Sequence, residues 1–250
     1  GVTPPGGKAG RWGGGVTRGG GMAEFWAVDA HHCMPLPPGL SSVAAAGWPE
    51  TYFTVWSNVF IGARLTAGET FLVHGGAGGI GSTCIQLGRA FGAKVIATDS
   101  PAERCKFCSD LGADRVIDYR AEDFVDIVRQ AGGADVILDI VGGSNIEKNL
   151  KAASPDARLI QLAFGQGSKV EINLMPIMLK RLTYTGSTLR TRPAAFKARV
   201  ARELEEQGWP LIGNKTIKPG VHATFPLADP AGDQPLVQSM PRIETTIPHP

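Results

Sequence analysis

Charge imbalance and cysteine are both scarce in these 250 residues, and each scarcity removes a class of function. Lys and Arg number 25 against 23 Asp and Glu, a formal charge of +2, so neither nucleic acid nor an anionic membrane surface is expected as a partner. The four cysteines are Cys33, Cys84, Cys105 and Cys108, and the first two stand alone, which argues against a tetrahedral zinc cluster. Cys105 and Cys108, in CKFC, share a face if the segment is helical; a redox pair is one reading, and a buried or half-buried helical pair of thiols is the simpler one. The run Asp29-Ala30-His31-His32-Cys33 has no second ligand cluster to complement it, so no metal site is expected. No apolar run approaches the roughly 20 residues needed to span a bilayer. The first residues lack the apolar core of a signal peptide, and a cytoplasmic protein is the expectation.

Glycine and proline, by contrast, are plentiful, and their placement divides the chain. Residues 1–20 are so rich in both that they cannot bury enough apolar surface to offset their ordering entropy, and a poorly ordered tail is expected there. Residues 21–50 hold short strand-like runs ended by Pro35, Pro37 and Pro38, and a helical stretch covers about 41–63. From 51 to 190 the pattern alternates. ETFLVHG, AKVIATD, DRVIDY, DVILDIVGG and ARLIQLA read as strands; GIGSTCIQLGRAF, PAERCKFCSDLGA, EDFVDIVRQA and NIEKNLKAA read as helices, and a further helix near 173–181 leads into LTYTGST. Nearly all-apolar strands alternating with helices predict an α/β fold, a doubly wound parallel sheet covered on both faces. Residues 191–227 add a charged helix, AAFKARVARELEEQGW, and a strand-like GVHATFPL, whereas 228–250 show no period and are expected to be irregular.

Between the first strand and the first helix of the alternation lies HGGAGGIG, in which Gly76, Gly78 and Gly81 have the spacing G-x-G-x-x-G. Such glycines allow a tight turn, a close backbone approach to a pyrophosphate, and close packing of helix on strand. The helix N-terminus then offers free N–H groups to phosphates. Asp99 ends the second strand, 18 residues after Gly81, as the dinucleotide fingerprint requires. Gly142 and Gly143, and then Phe164 and Gly165, end later strands on the same edge, where ligands of such sheets bind. The glycine turn is thus read as a dinucleotide site.

PETYFTVWSNVF, ETFLVHGGAGGIGS, AKVIATDSPAERC, LGADRVIDYRAEDF, ILDIVGG and IMLKRLTYTGSTLR fall in order along the chain. Together they resemble the zinc-independent quinone oxidoreductases of the medium-chain dehydrogenase/reductase superfamily, in the p53-inducible-quinone-oxidoreductase-like group. The resemblance implies a Rossmann domain beside the remnant of a β-rich, GroES-like catalytic domain. It also implies NADPH as hydride donor, a quinone or α,β-unsaturated carbonyl as acceptor, no zinc, and dimerisation as in relatives. By position, Gly76, Ala77, Gly78, Gly79 and Ile80 surround the pyrophosphate. Ser100, Arg104 and Tyr119 grip the adenosine 2′-phosphate, and Thr54, Val141 and Phe164 lie near the nicotinamide half.

Three departures qualify the likeness. Asp99 suits the free 2′-hydroxyl of NADH and repels a 2′-phosphate, while Arg104 suits the phosphate. NADPH is the expected donor, with NADH left open. Ala157 stands where the family has the glycine of a proline-aspartate-glycine turn, a position that would strain alanine if it needs positive φ. Most of the catalytic domain and the usual C-terminus have no counterpart here, and both Gly- or Pro-rich ends read as translation in a different frame. No catalytic acid or base can be named, so a dinucleotide-binding fragment with little or no catalysis is the alternative. A short-chain dehydrogenase is excluded because the residues four after the three tyrosines are Trp56, Asp123 and Thr188, none a lysine. A serine hydrolase is disfavoured because the chain has no G-x-S-x-G elbow.

Overall fold

The computed structural model describes residues 13–16, 28–37, 39–218, 220–226 and 245–249. The chain forms two compact units, Gly1–Trp56 with Leu189–Pro250, and Ser57–Thr188. In the first, β1 (Gly13–Gly15) pairs antiparallel with β2 (Cys33–Pro35), so the segment expected to be poorly ordered contains a short strand. Its composition permits this: a Cβ on Gly15 would lie 2.6 Å from the His32 carbonyl oxygen, so glycine allows the close approach. A 3-10 turn, Ala30–His32, precedes β2 and is capped by the Asp29 carboxylate. The helix expected over 41–63 is broken in two. α1 (Ser42–Ala46) stops at Gly47, and α2 (Pro49–Val55) restarts with proline in its first turn, where no N–H is needed. The chain then widens into a π turn, Trp56–Gly62, in which Ala63 N–H reaches back five residues to Asn58 O at 2.8 Å.

The second unit alternates as its sequence predicts. Its elements are β3 (Thr70–His74), α3 (Gly79–Ala90), β4 (Lys94–Asp99), α4 (Ala102–Asp110), β5 (Arg115–Asp118), α5 (Phe124–Gln130), β6 (Ala134–Asp139), α6 (Asn145–Ala152), β7 (Ala153–Gln161), α7 (Met175–Lys180) and β8 (Thr183–Gly186). The strands form one parallel sheet in the order β5-β4-β3-β6-β7-β8. The order reverses between β3 and β6, and this is where such sheets open a crevice at their carboxyl ends. Successive side chains alternate between faces. Leu72, Ile96, Ile137 and Leu159 pack with Phe124, Val125 and Val128 of α5 and Leu150 of α6. On the other face α3 approaches so closely that a Cβ on Gly88 would lie 3.0 Å from both Phe71 and Val95. The sheet is a doubly wound Rossmann sheet.

Ala157 is fully buried in β7, and the residue with positive φ is its neighbour Asp156, at 62°. The strain expected at Ala157 therefore falls on an aspartate, a residue that enters the left-handed region more readily than most. Asp156 is held there by Arg181, with Nε and Nη2 each 2.7 Å from a carboxylate oxygen.

After the sheet the chain returns to the first unit as α8 (Ala194–Gln207), α9 (Trp209–Gly213) and β9 (Val221–Pro226). Within this unit Trp48 stacks on Tyr52 and meets Trp209 edge-on, and Trp209 Nε1 donates to Pro35 O at 2.9 Å. Beyond residue 227 the sequence predicts irregular chain, yet β10 (Thr245–His249) runs parallel to β9. Pro248 is tolerated because β10 is an edge strand.

Candidate functional site

The glycine turn is shaped from both sides. Gly75 and Gly76 donate their N–H groups to Thr98 O, at 3.0 and 3.1 Å, which pins the turn to the end of β4. Gly75 has φ 71°. A Cβ on Gly76 would lie 2.7 Å from Cys108 Sγ, and one on Gly81 would lie 2.1 Å from Gly75 O. Gly78 differs: its Cβ would meet only Gly75 O, at 3.3 Å. Close packing thus requires Gly76 and Gly81, while the protein itself leaves room at Gly78. No side chain caps α3, whose N-cap is Gly78, so the first-turn N–H groups of Gly79, Ile80 and Gly81 have neither helical carbonyl nor capping side chain. Uncapped N–H groups of this kind are where a helix can receive an anion.

Parallel register brings the expected adenosine-side residues together at the ends of β4 and β5. Asp99 lies opposite Asp118, and Tyr119 N–H reaches Asp99 O at 3.4 Å. Tyr119 is 52% exposed. Ser100 is buried, and its hydroxyl has no hydrogen-bond partner among the described residues. Arg104 and Asp99, which the sequence sets in opposition, form an ion pair, with Arg104 Nε 2.5 Å and Nη2 3.2 Å from the two carboxylate oxygens.

On the other side of the crevice the β6–α6 turn is laced to the chain after β7. Gly165 N–H donates to Ile140 O, Gln166 N–H to Val141 O and Gly143 N–H to Gly167 O. Gly142, at φ 68°, lies against Phe164: a Cβ there would be 2.9 Å from its ring. Phe164 itself is 47% exposed. Val141 and Phe164 are therefore neighbours, whereas Thr54 lies on α2 in the first unit.

The sequence reading missed a buried chain of polar groups beneath this edge. Asp139 Oδ1 accepts from Val141 N–H at 2.6 Å and Gly142 N–H at 3.1 Å, and Oδ2 accepts from Asn149 Nδ2 at 3.0 Å. Asn149 Oδ1 lies 2.7 Å from His74 Nε2 and can only accept, so His74 carries its proton on Nε2. His74 Nδ1 then accepts from the Thr98 hydroxyl at 2.9 Å. Burial holds the His74 pKa below its ordinary 6.5, against the pull of the Asp139 charge and the Asn149 hydrogen bond. Gln161 extends the chain, donating to Asp139 O and accepting from Tyr184 OH at 2.8 Å. A signal was present: β3, β4, β6 and β7 are largely apolar, yet end on His74, Asp99, Asp139 and Gln161.

Other candidates resolve simply. Cys105 is half-buried and Cys108 buried, both are free thiols, and burial pushes the Cys108 thiol up to about 12, which makes it a poor nucleophile. In the Asp29–Cys33 run, Asp29 accepts from His31, and His32 Nε2 lies 3.1 Å from Ala194 O. Among the described residues no group of three or more His, Cys, Asp and Glu side chains could hold a metal ion. Nor is any described helix long and apolar enough to cross a membrane.

Comparison with known proteins bears on the family and the fold. The family described as zinc-binding dehydrogenase matches residues 79–206. The quinone oxidoreductase of Rattus norvegicus is 31% identical over 214 residues, 83% of this chain but 62% of that protein, so the chain spans less than two thirds of this relative. The quinone oxidoreductase of Thermus thermophilus, solved alone and with NADPH, superposes with TM-score 0.79 at 27% identity, over 93% of this chain and 74% of that one. An NAD-dependent alcohol dehydrogenase gives TM-score 0.80 at 25% identity, over 92% and 66%. The chain belongs to the zinc-binding dehydrogenase family, as a quinone oxidoreductase-like member of the medium-chain dehydrogenase/reductase superfamily.

Proposed function

We propose that the chain binds NADPH along the carboxyl edge of its sheet and serves zinc-independent reduction of a quinone or an α,β-unsaturated carbonyl. The observation that carries the reading is the cradle after β3, where Gly76 and Gly81 are too crowded for a Cβ and the N-terminus of α3 is uncapped. The orphaned Ser100 hydroxyl is a second fit, since a buried polar atom without a partner suits a ligand oxygen. In this reading Gly76 to Gly81 hold the pyrophosphate, Ser100 and Tyr119 flank the adenosine 2′-phosphate, and Arg104 supplies positive charge beside it. Val141, Phe164 and Thr54 border the nicotinamide half. When bound, NADPH supplies the hydride. The Thermus relative solved with NADPH supports this choice of cofactor, and the NAD-dependent neighbour keeps NADH as the competitor to test.

A second reading, a dinucleotide-binding piece that catalyses little, draws on the 62% of the rat protein that the chain spans. Titration of the purified chain with NADPH and NADH, followed by turnover with 9,10-phenanthrenequinone, decides between them. Tight NADPH binding with turnover supports the first reading, and binding without turnover the second. No binding of either dinucleotide refutes both. A homodimer belongs to the same proposal, because β8 is the end strand, its four residues are exposed, and Leu174, Met175, Met178 and Leu179 are exposed just before it. Sedimentation as a monomer would refute that part. The four free thiols suit the reducing cytoplasm.

A further inference from the structure

We infer that Asp99 is the latch of the glycine turn rather than a reader of the ribose, and that Arg104 acts on a bound dinucleotide through it. The inference rests on the dinucleotide-binding reading above. An acid at the end of the second strand of such a sheet ordinarily accepts a hydrogen bond from the ribose 2′-hydroxyl. A carboxylate offers about four acceptor positions, and those of Asp99 are all taken. Oδ1 accepts from Ser100 N–H at 2.7 Å and Arg104 Nε at 2.5 Å. Oδ2 accepts from Ala77 N–H at 2.7 Å and Arg104 Nη2 at 3.2 Å. The side chain is 4% exposed. A ribose hydroxyl could enter only by displacing a backbone N–H or one prong of a planar guanidinium fork, a geometry that matches carboxylate closely.

Two consequences follow. Ala77 lies in the middle of the phosphate turn, so its hydrogen bond to Asp99 transmits the position of β4 to the turn. Asp99 is therefore a positioning residue for both dinucleotides alike. The guanidinium also offsets the carboxylate charge, so the repulsion that an acid here would exert on a 2′-phosphate is muted, and Asp99 no longer selects NADH. The opposition between Asp99 and Arg104 in the sequence becomes one paired unit in the fold.

The test uses the full chain with three variants, Asp99→Asn, Arg104→Met and the double variant, and two readouts. Amide hydrogen exchange at Ala77 and Ser100, measured without ligand, should quicken about tenfold or more in Asp99→Asn, since each N–H loses a charged acceptor. NADPH and NADH should then weaken by the same factor, to within about twofold. In Arg104→Met the bared carboxylate should shift preference toward NADH by about tenfold or more, and adding Asp99→Asn should reduce that shift to about threefold or less, as coupled residues do. The inference is overturned by wild-type exchange at Ala77 in Asp99→Asn, or by a loss of NADH binding alone in that variant. An Arg104→Met shift of full size in the double variant overturns it too, because Arg104 would then grip the phosphate directly. Should Asp99→Asn fail to fold, Asp99→Glu decides: its longer side chain displaces the carboxylate, so faster exchange at both amides with equal weakening of NADPH and NADH is the expected result, and unchanged exchange refutes the latch. If the wild-type chain binds neither dinucleotide, the proposed function fails while the exchange measurements still judge Asp99.

Discussion

Alanine at Gly81 and at Gly78 should separate what the turn needs in order to fold from what it needs in order to bind. A Cβ at Gly81 would lie 2.1 Å from Gly75 O and 2.7 Å from Gly76 Cα, both backbone atoms that no rotamer change can move. Alanine within a helix would otherwise contribute about 1 kcal/mol relative to glycine. Overpacking costs typically 1–3 kcal/mol, and more where the obstruction is backbone. The net expectation for Gly81→Ala is a loss of about 2 kcal/mol or more, a fall in melting temperature of about 4–8 °C for a chain of this size. At Gly78 the new Cβ would meet Gly75 O at 3.3 Å, and φ is −79°, which alanine adopts freely. Gly78→Ala should therefore keep stability within about 1 kcal/mol and weaken dinucleotide binding, since it fills space that the protein leaves open. Calorimetry beside a binding titration reads both. Equal melting temperatures for the two variants, or a stable Gly81→Ala, would refute the geometry.

Three further outcomes follow from the packing and charge of the second unit. His74 has its pKa lowered in the fold, so the unfolded chain takes up a proton first as the pH falls: stability is complete above about 6.5 and declines below it, by at most about 1.4 kcal/mol per pH unit. His74→Gln should flatten that decline in urea unfolding between pH 7.5 and 5.5, and parallel curves would count against the buried neutral imidazole. Leu150 is fully buried between α6 and the sheet, and Leu150→Ala should destabilise by about 2–5 kcal/mol; a loss under about 1 kcal/mol in denaturant titration would contradict it. Glu69 meets Arg158 with two hydrogen bonds, at 2.8 and 2.9 Å. Burial pushes its carboxyl up, yet the hydrogen bonds from Arg158 and Thr66 outweigh this and hold it below 4.5. Glu69→Gln should lose about 1 kcal/mol at pH 7, allowing for solvent screening. The deficit should close as the pH falls through the lowered pKa, and a deficit that persists at pH 2 would refute the ionic origin.

Periodicity and composition expose local patterns and conceal pairings. The alternation of apolar strands with helices was legible because strands buried on both faces leave no polar side to confuse the pattern. The glycine turn was legible because few other sequences satisfy its backbone. The Asp99–Arg104 pair was not: each residue alone points to a different cofactor, and only the start of α4 directs the guanidinium back onto β4. His74, Asn149 and Asp139 were hidden for a related reason, being separated in sequence and joined by the parallel register of β3 and β6. The π turn after α2 and the strand β10 escaped because a five-residue hydrogen bond and an edge pairing depend on backbone contacts that side-chain pattern does not record. Ala157 shows the converse: the turn was found, but its strained residue was displaced by one.

The polar chain from Thr98 through His74, Asn149 and Asp139 to Gln161 has a consequence for how this sheet can change. Each member is both satisfied by a neighbour and needed by another, so replacing one by an apolar residue would orphan a buried group, at about 1–3 kcal/mol. A sequence could leave this arrangement gradually only through such deficient intermediates, and even replacing the members together would strand the Val141 and Gly142 N–H groups that Asp139 holds. The carboxyl edge of the sheet is thus inherited as a block, and redesign of the crevice above it has to carry the whole row or leave all of it in place.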